Sequence, residues 1–329
     1  MACASRDYFL LSQFHKFPHT FKNMRHIQHP GIALPDRVHS AVCESEPFVS
    51  QLEPGLSLID SVSAAMHRFG VSSAVMRLSG GALGSFAYCM PALSKSDQHA
   101  VYFSDTYRVG GTVSLETASV TFGIKNRKPW LHCHAVWAEP GGRRHCGHLL
   151  PEQVTVVSAV QATGHGLKGA DFVVTPDAET NFSLFMPKHV ADSHLSTHKS
   201  QESLSREAYA LRLSPNIDVC MALEDFCKAR GITAAIIAGG VGSTVGAVFE
   251  DGRTVEPFVT ELLVRDGAIR LNKNGELAAR IDIAMIDYKG GLSEGVLARG
   301  KNPVLVTFEL VVQPLSASLI EQTAHELRT

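Results

Sequence analysis

The chain has 329 residues, a length that favours two domains, and its 45% apolar and 19% charged residues are typical of a globular protein with a sizeable core. The 30 Lys and Arg nearly balance the 32 Asp and Glu, so the net charge is −2, and the lack of a long basic stretch argues against a nucleic-acid partner. No apolar run approaches the roughly 20 residues that span a bilayer, so we expect no membrane segment.

Residues 1–47 are expected to form an N-terminal leader and an extended segment. They lack the basic and apolar regions of a signal peptide, and Met24 is an alternative start. His15, His19, His26 and His29, in or near this leader, are expected to meet solvent, as are His189, His194 and His198 in the linker described below. The seven cysteines are odd in number and contain no C-x-x-C pair, so we expect free thiols and a cytoplasmic location.

An internal repeat organises the rest of the chain. Residues 52–89 contain a Pro-Gly turn, an amphipathic helix that ends at Gly70 and a glycine-rich strand pair. Residues 213–249 repeat this order, with Gly231 in the place of Gly70. Both glycines stand where a left-handed helix cap is expected. The repeat predicts two domains of similar fold.

The helix in each copy is followed mainly by predicted strands. In the first copy these are Ser73–Leu78, Leu83–Cys89, Thr112–Phe122, Trp130–Trp137, Val154–Gln161 and Asn181–Phe185; in the second they are Ala234–Ile237, Thr244–Phe249, Val259–Val264, Ala278–Ile286 and Val304–Val312. One helix with hairpin-spaced strands predicts an α+β fold with a mostly antiparallel sheet in each copy. We place the first domain at 48–187, a Ser- and His-rich linker at 188–207, the second domain at 208–313 and a tail at 314–329.

Histidine is unusually frequent, with 16 in the chain, and four lie close together. His132 and His134 alternate along a predicted strand, so their side chains share one face. A Pro-Gly-Gly turn then brings His148, and with it His145, back alongside them. Three converging imidazoles suit Zn²⁺ or a similar divalent cation and leave one coordination position open. On spacing alone, histidines that only form hydrogen bonds explain the pattern equally well.

These motifs resemble the PPC (plants and prokaryotes conserved) domain, which accompanies AT-hook motifs in plants. The resemblance covers roughly Phe48–Pro187 and Ala208–Gln313 and rests on Leu131-His132-Cys133-His134, Gly141-Gly142 and Gly147-His148-Leu149. It implies an α+β sheet, assembly as a trimer, and a zinc-like metal held by His132, His134 and His148. His145 has no counterpart in the family pattern and is kept as a residue that supports a ligand or joins the metal.

The second copy lacks this histidine pattern. Aligning it with the first copy places Arg280, Asp282 and Gly295 near the three histidine positions, so no metal site is expected there. We therefore expect a structural or substrate-covering role for the second copy. Arg280 is a candidate for reaching an acidic ligand.

Several other residues are candidates for substrate binding or catalysis. Arg77 stands in an apolar strand and suits a substrate carboxylate. Glu116 and Glu139 are candidate general bases, and the polar groups of 177–182 are candidates for lining a pocket. For each of them a packed or solvated structural role is the competing interpretation. The glycine-rich segments lack the Gly-Lys-Ser/Thr of a phosphate loop and indicate turns or bulges.

Two classes of function follow from these observations. The first is a metal-dependent hydrolase or lyase that acts on a small polar or carboxylated molecule. The second is a DNA-binding regulator of the PPC type, although the near-neutral charge and the absence of an AT-hook oppose it. A metal-stabilised oligomeric scaffold without turnover is a further alternative.

Overall fold

The computed structural model describes residues 25–190 and 206–315. The predicted leader before residue 25, most of the predicted linker and the tail beyond residue 315 lie outside the described residues. Within the described ranges, no helix is long and apolar enough to cross a membrane. The chain forms mostly antiparallel sheet with one main helix in each copy, so the predicted α+β class is confirmed.

The first copy contains one α-helix and most of the strands. Its elements are β1 (Val38–Leu52), α1 (Leu58–Phe69), β2 (Ser73–Ser79), β3 (Ala82–Gly84), β4 (Phe86–Cys89), β5 (Pro91–Leu93), β6 (Val101–Phe103), β7 (Tyr107–Val109), β8 (Val113–Lys125), β9 (Lys128–Ala138), β10 (Arg144–Leu149), a 3₁₀ turn (Pro151–Gln153), β11 (Thr155–Ser158), β12 (Val160–Lys168), β13 (Ala170–Pro176) and β14 (Ser183–His189).

The second copy follows the same order with fewer strands. Its elements are β15 (Glu207–Leu213), α2 (Val219–Lys228), β16 (Ala235–Thr244), β17 (Ala247–Val248), β18 (Thr254–Val255), β19 (Thr260–Leu271), β20 (Leu277–Asp287), β21 (Leu292–Val296) and β22 (Val304–Pro314).

The long strand β1 joins the two sheets into one. It pairs with β15 of the second copy from Val38 to Glu44 and with β12 of the first copy from Glu44 to Leu52. Hydrogen-bonded neighbours then run β4-β10-β9-β8-β2-β12 on one side of β1 and β15-β22-β16-β19-β20-β21 on the other. From the sequence we expect only an extended segment before residue 48, because Pro47 within the strand obscures its pattern.

Both helices begin at a side-chain cap and cover the outer face of their own sheet. The backbone N–H of Asp60 donates to Ser57 Oγ at the start of α1, and that of Met221 donates to the Asp218 carboxylate at the start of α2. Helix α1 ends at Gly70, whose φ of 66° is left-handed, as predicted. The apolar sides of α1 and α2 belong to two separate buried clusters, one in each copy.

The inner faces of the two sheets pack against each other. Strands β8 and β9 lie against β16 and β19, and β10 lies against β20. Across this contact the backbone N–H of Gly240 donates a hydrogen bond to Ser119 Oγ at 3.1 Å. One buried cluster contains residues of both copies: Val136, Cys146, Leu263, Ala284 and Ile286. A polar side chain on the inner face of the first copy can therefore find hydrogen-bond partners in the second copy.

Three predicted strands differ from the observed elements. Leu83–Cys89 divides into β3 and β4 at Ser85, whose φ of 43° redirects the chain. Val154–Gln161 divides into β11 and β12, which pair with different strands. Strand β16 continues through a bulge at Gly239–Gly240 as far as Thr244. The predicted strand Thr244–Phe249 is therefore represented by the end of β16 and by the short strand β17.

The expectation that the N-terminal histidines meet solvent holds for His26 and is wrong for His29. His29 is buried, and its Nε2 lies 2.7 Å from the carbonyl oxygen of Leu305. The reason is that this segment lies against the second copy, where Ile27 also hydrogen-bonds Asn216. His15, His19, His194 and His198 lie outside the described residues, and His189 is exposed as expected.

The packing of the two copies predicts the effect of removing a buried ion pair. Asp177 of the first copy accepts a hydrogen bond of 2.7 Å from Arg212 of the second, and the Arg212 side chain is 1% exposed. Asp177→Ala leaves a buried guanidinium without its carboxylate, so we expect a loss of about 3–5 kcal/mol of unfolding free energy. Urea denaturation measures it.

The matched control for this substitution is Asp251→Ala, which removes a carboxylate from an exposed pair with Arg253. Solvent replaces that carboxylate, so the unfolding midpoint should not move measurably. Equal midpoints for the two variants would contradict the burial argument.

Candidate metal centre

Strand register places three histidines at one point on the inner face of the first sheet. His134 on β9 lies directly opposite His148 on β10, and His132 precedes His134 by two residues on the same face. The turn between the strands contains Gly141 and Gly142, whose φ values of 103° and 85° favour glycine. This turn sets the register that aligns His148. We call His132, His134 and His148 the histidine triad.

The nitrogen atoms of the triad converge at distances that suit a metal. His134 Nε2 lies 3.1 Å from His132 Nε2 and 3.3 Å from His148 Nδ1. All three ligand atoms lie within 4.8 Å of one another. Tetrahedral Zn²⁺ with bonds of about 2.0–2.1 Å separates its ligand atoms by roughly 3.3–3.4 Å. The triad therefore fits a tetrahedral divalent cation after small side-chain shifts.

The second copy orients two of the three rings. His132 Nδ1 donates to the Glu309 carboxylate at 2.9 Å, and His134 Nδ1 donates to the carbonyl oxygen of Leu262 at 2.7 Å. These hydrogen bonds place the proton on Nδ1 and leave the Nε2 lone pair of each neutral ring available. Metal-binding histidines characteristically have such a carboxylate or carbonyl partner.

A second glutamate of the second copy faces the triad. Glu261 Oε1 lies 3.8 Å from both His134 Nε2 and His148 Nδ1. Glu261 is 8% exposed, and its Oε2 is buried without a hydrogen-bond partner among the described residues. A buried carboxyl oxygen without a partner suits a site that binds a cation or a hydrogen-bond donor.

Burial and the neighbouring charges shift the pKa values of the triad and of Glu261 in different directions. Burial lowers the pKa of His132, but the adjacent Glu309 carboxylate outweighs it, so the pKa of His132 is raised. Burial and then the charge of His132 lower the pKa of His148 to about 3, and the pKa of His134 falls for the same reasons. Burial raises the pKa of Glu261 to about 8. Without a metal, Glu261 therefore holds a proton at neutral pH, and His132 keeps its proton to a higher pH than a free imidazole does.

Glu261 and Glu309 are absent from the sequence-based candidates. Each is the only charged residue in a short, mainly apolar stretch, TELLV for Glu261 and TFELVV for Glu309. That pattern is a usable signal, because an acidic side chain in a buried strand requires a partner. The partner itself lies in the other copy, beyond the range of local sequence patterns.

His145, which neighbours the triad in sequence, faces away from it. His145 alternates with His148 on β10 and stacks on Trp137 at a ring-centroid distance of 6.0 Å. Its Nε2 lies 3.5 Å from a carboxylate oxygen of Glu139. The structure therefore does not bring His145 or Glu139 to the triad, because strand alternation directs them to the opposite face.

Glu116, and the three residues of the second copy that align with the histidines, also lie away from the triad. Glu116 forms an exposed ion pair with Arg144 at 2.7 Å. Arg280 is exposed, and Asp282 pairs with Arg265 at 2.8 Å. Gly295 lies on β21, opposite Ile283 of β20. None of them contributes a side chain to the triad.

Arg77 shares the row of His134 but opens into another cleft. The register of β2, β8 and β9 aligns Arg77 with Ser119 and Ser119 with His134. Neighbouring strands lie about 4.8 Å apart, so the backbones of Arg77 and His134 are roughly 10 Å apart. Arg77 is exposed and lines a separate cleft with His165. It does not reach the triad.

A cavity of about 60 Å³ opens beside His132 and His134, and we call it the triad cavity. Its lining comes from both copies: Pro91, Val101, Tyr102, Phe103, Phe182, Leu184, Gly242, Ser243, Val259, Thr260, Glu261, Leu305, Val306 and Thr307, with the two histidines. Of the segment 177–182, whose polar groups are candidates for lining a pocket, the residue that lines the triad cavity is the apolar Phe182. The triad therefore has one open side, towards a small and mainly apolar space.

Comparison with known proteins identifies the family. The model of the Plants and Prokaryotes Conserved (PCC) domain matches residues 40–163 and 200–316. The chain therefore belongs to the PCC domain family and contains two copies of the domain. No curated protein matches the chain at a significant level.

Solved structures with a similar fold each match about one copy. A plant- and prokaryote-conserved protein of Pyrococcus horikoshii is 15% identical over 45% of this chain and 96% of its own, with a TM-score of 0.36. A metal-containing protein of Archaeoglobus fulgidus is 17% identical over 44% and 94%, with a TM-score of 0.35. A candidate DNA-binding protein of Ralstonia eutropha is 17% identical over 42% and 88%, with a TM-score of 0.31.

The protonation states predict how metal binding depends on pH. Glu261, with a pKa of about 8, holds a proton at neutral pH, and the raised pKa of His132 favours the protonated ring, which a bound cation opposes. We expect zinc affinity to rise as the pH rises to about 8 and to level off above that value. Titration calorimetry in buffers of different ionisation enthalpy measures the released protons.

Glu309→Gln tests the cause of this dependence. It removes the carboxylate that raises the pKa of His132, so fewer protons should be released near pH 7. A zinc affinity that does not change with pH in the unsubstituted protein would refute the assignment of these protonation states.

Proposed function

We propose that the protein is a zinc-dependent hydrolase or lyase whose metal is held by His132, His134 and His148. The observation that carries this proposal is the convergence of one nitrogen atom from each of the three imidazole rings. In two of the rings the other nitrogen is hydrogen-bonded to the second copy: His132 Nδ1 to Glu309 and His134 Nδ1 to the carbonyl oxygen of Leu262. Three protein ligands leave a coordination position open, which is the arrangement of catalytic rather than structural zinc sites. The triad cavity lies beside the triad.

A divalent cation in such a site supplies Lewis acidity and makes water more acidic. Glu309 holds His132 in one tautomer and orientation. Glu261 is the group that accepts and returns a proton, since its carboxyl lies 3.8 Å from two of the ligand nitrogens. This role replaces the earlier candidates Glu116 and Glu139, whose carboxylates engage Arg144 and His145.

The substrate is a small molecule, because the triad cavity measures only about 60 Å³. The expected carboxylate contacts lack support at this position, since Arg77 and Arg280 do not line the triad cavity. The second copy takes the substrate-covering role, because it supplies Glu261 and part of the cavity wall. Selection of a carboxylated substrate by an arginine is therefore not part of this proposal.

Metal content tests the proposal directly. We expect about one zinc per chain after purification without chelators or affinity histidines, because one triad is present in the described residues. His134→Ala removes the central ligand and should reduce bound zinc by at least about tenfold. Inductively coupled plasma mass spectrometry measures zinc per chain.

His145→Ala is the matched control, since it removes a histidine of the same hairpin that faces Trp137. This variant should keep its zinc. Absence of zinc from the unsubstituted protein, or equal loss in both variants, would refute the zinc site. Loss of assembly on metal removal, with no turnover of any amide, ester or lactone tested, would instead support a scaffold.

DNA binding is the second candidate, and one observation favours it. The Ralstonia eutropha protein of similar fold is named as a candidate DNA-binding protein. This name is in tension with the expectation drawn from the net charge of −2. The present site does not require DNA, and the two functions are separable by experiment.

We expect no salt-dependent binding of a 20-base-pair duplex near physiological ionic strength, because a near-neutral protein gains little from counterion release. Fluorescence anisotropy at several salt concentrations measures this binding. A Kd in the micromolar range or tighter that weakens steeply with salt would establish the second candidate.

A further inference from the structure

A second space between the two copies lies around Arg77 and shares no lining residue with the triad cavity. Strands β2 and β12 of the first copy form one wall, and strands β16 and β19 of the second copy form the other. We call this space, of about 460 Å³, the Arg77 cleft. Sites for small molecules typically have volumes of about 300–1,000 Å³, so the Arg77 cleft has the size of such a site.

The Arg77 cleft opens where two strands of the second copy separate. Strand β16 pairs with β19 at Ile236 and again at Val241, but not between them. Strand β19 has a bulge at Arg265 in the same stretch. Gly239 lies in this gap with a φ of 92°, and a Cβ there would lie 3.1 Å from Val75 Cβ of the first copy. Bulges of this kind are common beside binding sites, because they redirect side chains.

Two charged side chains of the cleft, one on each wall, have no partner. Arg77 and Asp266 both line the cleft and are exposed, and neither side chain forms a hydrogen bond or an ion pair with any described residue. The other guanidinium of the cleft, that of Arg265, is compensated by two carboxylates at 2.8 and 2.9 Å. Burial lowers the pKa of His165, so this imidazole is neutral at pH 7. The cleft therefore presents one uncompensated positive charge and one uncompensated negative charge.

These two charges decide the class of ligand. A simple anion pairs with the Arg77 guanidinium but is repelled by the Asp266 carboxylate, and a simple cation meets the opposite conflict. A zwitterion can pair with both. Its carboxylate can accept two parallel hydrogen bonds from a guanidinium, and its ammonium group can donate to a carboxylate.

The rest of the lining suits a molecule that also has an apolar part. Ile236 and Ala238 are half-buried and contribute apolar surface from the second copy. On the opposite wall, Thr163 lies directly beside Arg77 in the strand register, and Ser79 follows Arg77 by two residues on the same face. Neither hydroxyl group has a hydrogen-bond partner among the described residues, so both can donate to a carboxylate bound by Arg77.

We infer that the Arg77 cleft is a binding site for a small zwitterion with an apolar part, the chemistry of an apolar amino acid. The carboxylate of the ligand pairs with Arg77, its ammonium group pairs with Asp266, and its apolar part contacts Ile236 and Ala238. Each copy supplies one of the two charges, so the site requires both copies. It is independent of the zinc site and of the reaction proposed there.

Three matched probes test the inference: L-leucine, isocaproate and isoamylamine. All three have the same branched apolar group, but isocaproate lacks the ammonium group and isoamylamine lacks the carboxylate. Ligand-detected NMR titration of the full chain, after treatment with a chelator, gives the Kd of each probe. We expect leucine to bind at least about tenfold more tightly than either analogue, because each analogue leaves one charged side chain of the cleft unpaired.

Two substitutions assign the charges. Arg77→Gln removes the partner of the carboxylate, so leucine should lose at least about tenfold in affinity and bind no more tightly than isoamylamine. Asp266→Asn removes the partner of the ammonium group, so leucine should bind no more tightly than isocaproate. A general distortion of the cleft does not produce this crossed pattern. Arg68→Gln is the matched control, since this exposed arginine lies on α1, outside the cleft, and should leave every Kd unchanged.

The inference is overturned if leucine shows no saturable binding below about 10 mM, or binds no more tightly than the two analogues. Unchanged leucine affinity in both the Arg77 and the Asp266 variants overturns it as well. The zinc content of the chain is a separate readout. Absence of zinc with retained leucine selectivity refutes the proposed function and leaves this site, whereas bound zinc without leucine selectivity refutes this inference alone.

Discussion

The contact between the inner face of the first sheet and two strands of the second, each with one buried glutamate, is the interaction on which the site depends. It buries three imidazoles that would each lose hydration without compensation, and it supplies Glu309 and the Leu262 carbonyl to two of them. The remaining nitrogens then point at one another. Buried nitrogen lone pairs that face one another repel unless a proton or a cation lies between them. The spacing of these nitrogens suits a divalent cation.

The two copies contribute different groups to the site. The first copy supplies the three histidines, and the second supplies groups that act on them: the Glu309 carboxylate on His132, the Leu262 backbone carbonyl on His134 and the buried Glu261 near His134 and His148. Strand β1, which pairs with both sheets, ties the copies together on the same chain. The site is therefore a property of the pair of domains, and the second copy is more than a structural partner.

Strand alternation and a glycine turn are local rules, so the sequence predicted that His148, with His145, returns beside His132 and His134, and the family resemblance then selected the three residues of the triad. His132 and His134 share a face at a spacing of two, and Gly141 and Gly142 set the return strand. The same rules could not find Glu261, since its position relative to the triad depends on how two sheets stack. Arg77 is a candidate that the sequence pattern suggested and the sheet order places away from the triad. It is in register with His134 but lies two strands away.

Anomalous diffraction at the zinc edge from zinc-loaded crystals would show whether His132, His134 and His148 hold a metal between the two copies. We expect a peak of anomalous density about 2.0–2.1 Å from His132 Nε2, His134 Nε2 and His148 Nδ1, with Glu309 still bonded to His132 Nδ1. Zinc peaks confined to other residues, with the triad nitrogens still bonded to one another, would contradict it.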